Sequence, residues 1–394
     1  MTPVDIAITV CGLTAAVHVA SVAIAAVRCR ARRDHVAPPA DAPPITIVRP
    51  VCDIENFVAE TLGSTFRLDY PDYEIVLCVA SPADPVIPVV DELMARHPQV
   101  RARLLVGNDP VSRNPKLNNC VKGWQAAAHD WIAIADSNVL MPPDYLQRLL
   151  AAWQPASGRQ PASGRQPASG RGRGTGLVCA PPIGSRPDGF WAEVECAFLN
   201  TYQARAQYVA DSIGFGFAQG KTLFWRRDVL EAGGGIKALG ADVAEDAAST
   251  KLVRAAGLRV RLVDGPFEQP LGRRGAREVW RRQSRWARLR RACFPHWFLP
   301  EILTGALVPT VSFAVAVHAL GGPILPLVLL FLLAWYGAEA VLARIAGWTL
   351  SPWYPVHALV RDLMLPALWL DGLLGSSFEW RGNAMRVEAD NPAA

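Results

Sequence analysis

The stretch ITIVRP, residues 45–50, begins a series of short apolar runs that decides the fold. Three more runs follow it: YEIVLCVA at 73–80, ARLLVG at 102–107 and DWIAIAD at 130–136. The first run is β-branched, without strict alternation, which is typical of a strand buried on both faces, and the other three are further strand candidates. Because stretches of helical length separate the runs, the order predicts an α/β domain with a mostly parallel, Rossmann-like sheet between layers of helices.

Helices and a further strand continue this pattern along the chain. Helices are predicted at 56–68, 86–98, 117–129, 189–211 and 244–257, and a strand at 258–264. Residues 154–174 differ, because they contain the sequence QPASGR three times. Low-complexity polar sequence cannot bury a core, so we expect a disordered surface insertion there.

Apolar segments at both ends of the chain predict attachment to a membrane. Residues 4–27 are nearly all apolar and are followed by a basic run, which predicts a membrane anchor with a cytoplasmic continuation. A cleaved signal peptide fits poorly, because its positive charge would precede the apolar stretch. Two more apolar runs follow residue 299. Residues 354–376 contain Arg361, Asp362 and Asp371, so they could span the bilayer or lie in its interface.

Composition limits the classes of protein that fit. Hydrophobic residues make up 51% of the 394 residues and charged residues 19%, against roughly 25% charged in soluble proteins. The net charge of +5 is too modest for a nucleic-acid binder and suits contact with acidic lipid or phosphate. None of the eight cysteines has CxxC spacing, so we expect small buried thiols in a reducing compartment.

Three separated aspartates follow predicted strands or begin a helix. Asp84 follows the strand at 73–80, Asp136 ends the strand at 130–136, and Asp246 begins a helix. The carboxyl ends of parallel strands are where such sheets bind ligands. Each acid also has a purely structural explanation, since Asp136 could cap a turn and Asp246 could stabilise its helix N-terminus.

The sequence NPKLNN, residues 114–119, places Lys116 and Asn118 at the start of a helix. A lysine is electrostatically unfavourable there, because the helix N-terminus is itself positive. An anionic ligand bound at this terminus would relieve the repulsion. An exposed lysine without a ligand is the alternative.

The stretch 272–291 carries nine arginines and one acid, Glu278. A spacing of four residues would place Arg273, Arg277, Arg281 and Arg285 on one helical face. An apolar run follows, so the stretch predicts a helix at the level of the lipid headgroups. The positive-inside tendency explains some of the arginines. Nucleic-acid binding, the other explanation of arginines with interleaved tryptophans, is not expected beside a membrane segment.

Taken in order, these motifs resemble those of a known family. The series is LDYPDYEIVLCV (68–79), Asp84-Pro85, NPKLNN, Asp136-Ser137, AED (244–246) and Arg282-x-x-Arg285-Trp286. Three separated aspartates followed by (R/Q)xxRW resemble the signature of processive-type inverting glycosyltransferases with a GT-A fold. The series is most similar to that of the ceramide glucosyltransferases. The resemblance runs from the N-terminal anchor to the basic helix.

The resemblance implies a donor site. Asp84 would hold the uracil or ribose of a UDP-sugar, and Lys116 and Asn118 would line the donor pocket. Asp136 would position the diphosphate and a divalent metal, Mg²⁺ or Mn²⁺. The family's metal motif departs here, because its third position is the amide Asn138 instead of a second carboxylate.

The resemblance also implies an acceptor site. Asp246 would be the general base on the acceptor hydroxyl, and repulsion from Asp242 and Glu245 could raise its basicity. The residues expected to gather the leaving diphosphate and border the acceptor entrance are Arg282, Arg285 and Trp286. A histidine of animal members is absent, and Tyr202 and Gln203 stand near its place.

The resemblance implies transfer of a sugar, most simply glucose, from a UDP-sugar to ceramide, giving glucosylceramide with inversion. A hopanoid or diacylglycerol acceptor is an alternative, as is a non-catalytic membrane scaffold. A polysaccharide synthase would need more spans. The expected partners are the lipid acceptor, the UDP-sugar and the bilayer, without nucleic acid and without an obligate protein partner.

These expectations divide the chain into parts. We expect a multi-pass protein of the inner or cell membrane, with its catalytic domain in the cytoplasm. In order, the parts are an anchor with its basic flank (1–33), a linker (34–44), a GT-A catalytic domain (45–271), a basic interfacial helix (272–299), a membrane region of two or three helices (300–376) and a tail (377–394).

Overall fold

The computed structural model describes residues 1–30, 35–155, 173–380 and 383–386. Most of the predicted insertion at 154–174 therefore lies outside the described residues, as does most of the tail. The α-helices are α1 Pro3–Arg28, α2 Val58–Ser64, α3 Ile87–Arg96, α4 Pro115–Ala126, α5 Tyr145–Ala152, α6 Phe190–Ala197, α7 Arg205–Ser212, α8 Arg227–Ala232, α9 Glu245–Ala255, α10 Ala276–Cys293, α11 Pro295–Phe298, α12 Leu307–Ala319, α13 Ile324–Ala346 and α14 Tyr354–Leu374.

Strands and shorter helical segments lie between these helices. A π-helix, Phe198–Ala204, joins α6 to α7, and short 3-10 helices lie at Thr65–Arg67, Ile236–Ala241 and Leu299–Leu303. The strands are β1 Ile45–Val51, β2 Tyr73–Val79, β3 Arg101–Val106, β4 Trp131–Ala135, β5 Thr175–Cys179, β6 Pro182–Asp188, β7 Thr222–Arg226, β8 Arg259–Leu262, β9 Phe267–Arg273, β10 Ser377–Trp380 and β11 Asn383–Arg386.

A seven-stranded sheet organises the α/β part, in the order β3-β2-β1-β4-β7-β5-β8. β1 pairs in parallel with β2 and β4, β2 with β3, and β5 with β8. β7 runs antiparallel to its neighbours β4 and β5. The prediction of an α/β fold with a mostly parallel sheet is confirmed.

Helices cover both faces of this sheet. On one face, Ile47 of β1 and Ala133 of β4 belong to a buried apolar cluster that includes Leu146 of α5. On the other face, α4 lies so close to β1 that a Cβ at Gly123 would be 2.5 Å from the Val48 side chain. Successive residues of a strand point to opposite faces, which is why the apolar run of β1 is continuous.

The chain forms two compact units. The α/β unit comprises Arg32–Ile183 and Gln207–Pro270. The helical unit comprises Met1–Ala31, Gly184–Ala206 and Leu271–Ala394. Residues 184–206, which we placed in the catalytic domain 45–271 from the sequence, thus belong to the same compact unit as the terminal helices.

Three helical segments of the described residues are long and apolar enough to cross a membrane: Pro3–Arg28, Pro295–Ala319 and Ile324–Ala346. Within the second segment, the longest regular α-helix is α12, with 13 residues. The third C-terminal candidate, 354–376, forms α14, which is not among these three segments.

Buried charges connect the helices of the helical unit. Arg361 of α14 donates to Glu339 of α13 at 3.0 Å and to Asp362 at 2.7 Å. Arg205 lies 3.4 Å from the same glutamate and 2.7 Å from Nδ1 of His18 in α1. All five side chains are buried. Charges removed from water need partners of this kind, so these contacts specify how the helices pack.

Candidate active site

Asp136 directly follows β4, a central strand of the sheet. Its Oδ1 lies 2.7 Å from Nζ of Lys116, and its Oδ2 lies 2.9 Å from Nζ of Lys221. Burial alone would raise the pKa of this carboxyl, but the two ammonium groups outweigh burial and hold its pKa well below the usual range. Asp136 is therefore a permanent anion at the end of the strand.

A buried arginine fixes the segment that follows Asp136. Arg49 of β1 donates to the backbone oxygens of Ser137 at 3.0 Å and Val139 at 3.3 Å, and to Oγ1 of Thr65 at 2.8 Å. Its side chain is fully buried. Buried carbonyl groups need such donors. Arg49 thus positions the carboxylate of Asp136 through the backbone that follows it.

Lys116 lies in the first turn of α4, as predicted. Its ammonium group bridges Asp136 and Glu245, which is 2.6 Å away, and also donates to the backbone oxygen of Gly220. Burial lowers the pKa of Lys116, but the two carboxylates outweigh burial and raise it above the usual range. The repulsion between this lysine and the helix N-terminus is therefore offset by two carboxylates of the protein itself.

Asn114 explains how α4 begins at this point. Its side-chain oxygen caps the helix by accepting the N–H groups of Lys116 at 2.9 Å and Leu117 at 3.1 Å. Its amide nitrogen donates to Oε2 of Glu245 at 2.7 Å. One side chain therefore fixes both the start of the helix and the carboxylate that pairs with Lys116.

Asp246 lies in the first turn of α9, and its Oδ2 accepts the N–H of Gly220 at 3.1 Å. Burial, with repulsion from Glu245 as the next cause, raises the pKa of Asp246 to about 7. Asp242, the other acid expected to act on it, pairs instead with Lys251 at 2.7 Å. A carboxyl group with a pKa near neutrality is suited to accept a proton during a reaction.

Gly220 is the point at which these groups converge. A Cβ at this position would lie 2.8 Å from Oε1 of Glu245, 3.2 Å from Nζ of Lys116 and 3.5 Å from Oδ2 of Asp246. Any larger residue would push into the ion network. The structure thus brings Asp136 and Asp246 together through Lys116 and Gly220.

Asp84 and Asn118 make other contacts within the α/β unit. The carboxylate of Asp84 accepts the backbone N–H groups of Asp53 and Val86, each at 3.0 Å. Oδ1 of Asn118 accepts the N–H groups of Val111 at 3.1 Å and Ser112 at 2.9 Å. Both predicted residues therefore shape loops at the carboxyl edge of the sheet.

Asp136 and its neighbour Asn138 offer oxygen donors to a metal. Oδ1 of Asn138 accepts from Lys221 at 3.0 Å, and its amide donates to Glu55 at 3.1 Å. Carboxylate and amide oxygens are the donor type that Mg²⁺ and Mn²⁺ prefer. Among the described residues, no group of three or more His, Cys, Asp or Glu could hold a metal ion. The donor type fits, with few protein ligands.

The predicted arginines lie on α10 in the helical unit. Arg282 donates to Oε1 of Glu195 at 2.7 Å, and that glutamate is fully buried. Arg285 is partly buried, and Trp286 packs against a cluster that contains Leu199. Arg282 and Trp286 thus connect α10 to the continuous helix that contains the π-helix.

One of the four arginines predicted to share a helical face does not lie on the helix. The helix begins at Ala276, so Arg273 ends β9 and does not share a helical face with Arg277, Arg281 and Arg285. Gly275 is the N-cap, and Glu278 accepts its backbone N–H. Start signals of this kind override a spacing pattern that extends beyond them.

The sequence matches the family profile described as glycosyl transferase family 21 over residues 13–163 and 167–393. The chain belongs to glycosyl transferase family 21. It is a glycosyltransferase, and the predicted membership in a ceramide glucosyltransferase-like family is confirmed.

Several relatives of this family 21 chain carry the name ceramide glucosyltransferase. Ceramide glucosyltransferase 3 of Caenorhabditis elegans is 24% identical over 350 residues, which cover 88% of this chain and 73% of that protein. Ceramide glucosyltransferase of Komagataella phaffii is 40% identical over 112 residues, 27% of this chain and 22% of that protein. The similarity therefore includes one relative over most of the chain and a second over a shorter, more similar segment.

Solved structures resemble this family 21 chain more distantly. The mannosyltransferase from Pyrobaculum calidifontis, in complex with GDP-Man and Mn²⁺, is 17% identical with a TM-score of 0.48, and the match covers 92% of this chain and 99% of that one. Glucosyl-3-phosphoglycerate synthase from Mycobacterium tuberculosis is 15% identical with a TM-score of 0.35, covering 66% and 79%. The family assignment rests on the sequence.

Four residues of the site are not among the predicted ones: Arg49, Asn114, Gly220 and Lys221. Signals for some of them are present in the sequence. Asn114 precedes a proline at a helix start, a pattern typical of an N-cap. Arg49 interrupts a β-branched run predicted to be buried, and a buried charge needs partners. The dipeptide Gly220-Lys221 gives no comparable signal, because β7 itself is not predicted.

Proposed function

We propose that this family 21 glycosyltransferase transfers a hexose, most simply glucose, from a UDP-sugar to a hydroxyl group of a membrane lipid. The names of its relatives suggest ceramide as the acceptor and glucosylceramide as the product. The observation that carries the proposal is the ion network in which Lys116 joins Asp136 to Glu245 beside Asp246. Cations for a diphosphate and a base for an alcohol lie together there.

The proposed donor site uses the two lysines. The leaving UDP gains negative charge as the bond to the anomeric carbon breaks, and cations already held in place stabilise that charge most in the transition state. Lys116 and Lys221 would contact the diphosphate. We propose that Asp84 contacts the uracil or ribose, and that Asn118 shapes the pocket through the loop it holds.

The oxygens of Asp136 and Asn138 would hold a divalent metal. When bound, the metal adds positive charge at the leaving group. Each of these oxygens contacts a lysine in the structure, so metal and lysines would share the carboxylate of Asp136. Dependence on Mg²⁺ or Mn²⁺ is therefore part of the proposal.

Asp246 would act as the general base. The acceptor hydroxyl oxygen forms the new bond to the anomeric carbon while the bond to UDP breaks, and the hydroxyl proton moves to the carboxylate of Asp246. A single displacement inverts the anomeric configuration. The raised pKa of Asp246 makes its carboxylate a stronger base than that of an ordinary aspartate.

We propose that Arg282, Arg285 and Trp286 border the acceptor entrance and help to neutralise the leaving diphosphate. Arg282 would then share its guanidinium group between Glu195 and phosphate. The apolar segments support a multi-pass membrane protein. The basic run after α1 supports a cytoplasmic active site.

The experiment is a matrix of donors and acceptors. Purified full-length chain in detergent receives labelled UDP-glucose, UDP-galactose, UDP-glucuronic acid or UDP-N-acetylglucosamine with ceramide, a hopanoid or diacylglycerol. We expect labelled glucosylceramide, with product lost after chelation and restored by Mg²⁺ or Mn²⁺. Transfer to a different lipid would correct the acceptor, and absence of transfer from every donor would support a scaffold.

A further inference from the structure

A fully buried carboxylate, that of Glu195, lies on α6 in the helical unit. Its neighbours in the chain, Val194 and Cys196, are buried as well. Removing a carboxylate from water is costly, and cations or hydrogen-bond donors must replace the water that solvated it. An apolar side chain could be buried here without that cost, so the partners of Glu195 indicate what the charge does.

Two arginines hold this carboxylate, one near each oxygen. Nη1 of Arg282 in α10 donates to Oε1 of Glu195 at 2.7 Å, and Nε of Arg274 lies 3.6 Å from Oε2. Arg274 lies in the turn between β9 and α10, and Arg282 follows about two helical turns later. Glu195 therefore fixes the entry into α10 and a point within its first half.

The two arginines differ in their other contacts. Arg274 also pairs with Glu278 in the first turn of α10. For Arg282, the bond to Glu195 is the only hydrogen bond of the side chain within the described residues. A guanidinium group has five N–H donors in one plane, so Arg282 keeps most of its donors for another acceptor. Its side chain is 18% exposed, which leaves these donors accessible.

Arg361 of the same unit shows the contacts of an arginine that serves packing alone. Its guanidinium group donates to Glu339, to Asp362 and to the backbone oxygen of Ala197, and its side chain is fully buried. Arg282 is instead held at one nitrogen and is partly exposed. This arrangement is expected of a cation that the protein orients and that binds an anion with its remaining donors.

Apolar packing fixes the helix that carries Glu195. Val194 of α6 and Val279 of α10 belong to one buried cluster. Cys196 of α6 belongs to another, against which Trp286 of α10 packs. The neighbours of Glu195 on both sides therefore pack in clusters to which α10 contributes. A charged group that packing holds in this way orients its partner more precisely than a mobile surface side chain.

We propose that Glu195 is a positioning residue for Arg282. Its carboxylate accepts from one nitrogen of the guanidinium group and leaves the remaining N–H donors to the leaving diphosphate. This inference rests on the proposed function, in which Arg282 helps to neutralise that diphosphate. It adds a residue from another element of the fold, since Glu195 precedes Arg282 by 87 residues and acts only through it.

The positioning role predicts which kinetic constant changes. Negative charge on the diphosphate grows as the bond to the anomeric carbon breaks, so a misplaced Arg282 weakens the transition state more than the bound UDP-sugar. Loss of Glu195 should therefore lower kcat and leave KM for UDP-glucose nearly unchanged. A role in stability alone would lower Tm, and its effect on kcat would not depend on the presence of Arg282.

A double-mutant cycle on the full chain in nanodiscs tests the proposal. At saturating ceramide, we expect kcat to fall about fivefold in Glu195→Gln, which keeps one oxygen, and about thirtyfold in Glu195→Met. Neither substitution should lower kcat further in an Arg282→Met background. Glu193→Met is the control, since Glu193 lies on the same helix without an ion pair among the described residues. Equal losses with and without Arg282 would overturn the proposal, and Glu195→Gln completes the cycle if Glu195→Met does not fold.

Calorimetric titration of the same proteins with UDP and Mg²⁺ separates the positioning role from the proposed function. Free UDP carries the charge that develops during transfer, so its affinity reports on Arg282 without any reaction. We expect both Glu195 substitutions to weaken UDP binding about fivefold, and only when Arg282 is present. This coupling in a chain that transfers from no UDP-sugar would refute the function and keep the positioning role. Transfer with losses that add would refute the positioning role.

Discussion

At the scale of single residues, the site depends on how charges offset burial. Asp136 and Asp246 are both buried acids in the same ion network, yet their pKa values move in opposite directions. Two lysines keep Asp136 charged, whereas burial and Glu245 leave Asp246 protonated more readily. Pairs of acids with pKa values pushed apart divide the work of binding charge and transferring protons.

Asp246 should give the reaction a pH dependence near neutrality. As a base it must be deprotonated, so kcat/KM should rise with pH through about 7 and then level off. A rate measured from pH 5 to 9 at low acceptor concentration checks this. A flat profile across pH 6–8 would contradict the assigned base.

The same pKa has a consequence for stability. Because the folded-state pKa of Asp246 lies above the unfolded value, the folded state binds the extra proton and stability falls as pH rises from about 4 to 7. Asp246→Asn should therefore raise Tm at pH 8 and not at pH 4. Even about 1 kcal/mol would give roughly 2–4 °C. A lower Tm at pH 8 would contradict this account.

Lys221 should contribute to kcat/KM for the UDP-sugar donor. Lys221→Met removes one of the two cations beside Asp136, so we expect kcat/KM for the UDP-sugar to fall about 10²-fold. Lys237→Met is the matched control, since Lys237 is an exposed lysine in the same unit. Donor kinetics with equal metal concentrations distinguish them. Equal activities of the two variants would remove Lys221 from the site.

At the scale of elements, regular apolar runs were predictable and interruptions were not. The apolar runs predict β1, β2, β3 and β4 to within one or two residues. β7 was not predicted, because it is antiparallel, follows a glycine-rich stretch and carries no alternation. The π-helix has no sequence signature that distinguishes it from α-helix.

The site, too, was predictable in part: some of its residues could be proposed from the sequence and some of its contacts could not. Asp136 and Asp246 could be proposed from strand ends and motif order. The pairing of Lys116 with Glu245 could not, because 129 residues separate them and only the folded sheet brings α4 and α9 together. Arg273 was wrongly placed on the helical arginine face. Gly275 is the N-cap of α10, so the helix begins after Arg273.

The buried charges between helices should control stability of the helical unit. Glu339→Ala leaves Arg361 and Arg205 without this carboxylate in a buried position, so we expect a loss of about 3–5 kcal/mol. The control is Glu92→Ala, which removes an exposed ion pair and should cost below about 1 kcal/mol. Thermal unfolding in detergent measures both. Equal Tm values would show that the buried pairs contribute little.

At the scale of the whole molecule, one chain contains an α/β unit and a helical unit with long apolar helices. The α/β unit holds the ion network, and the helical unit holds the apolar segments. A lipid with two chains stays in the bilayer, so an enzyme that glycosylates it must present its site at the interface. Under the proposed function, the helical unit would hold the chain in the bilayer and the α/β unit would supply the chemistry.

The most direct test compares two neighbouring aspartates in the transfer of labelled glucose from UDP-glucose to ceramide. Asp246→Asn should fold and lose turnover by about 10²–10⁴-fold. Asp242→Asn, whose carboxylate pairs with Lys251 outside the proposed reaction, should keep most of it. A folded Asp246→Asn protein with full turnover would contradict the central claim.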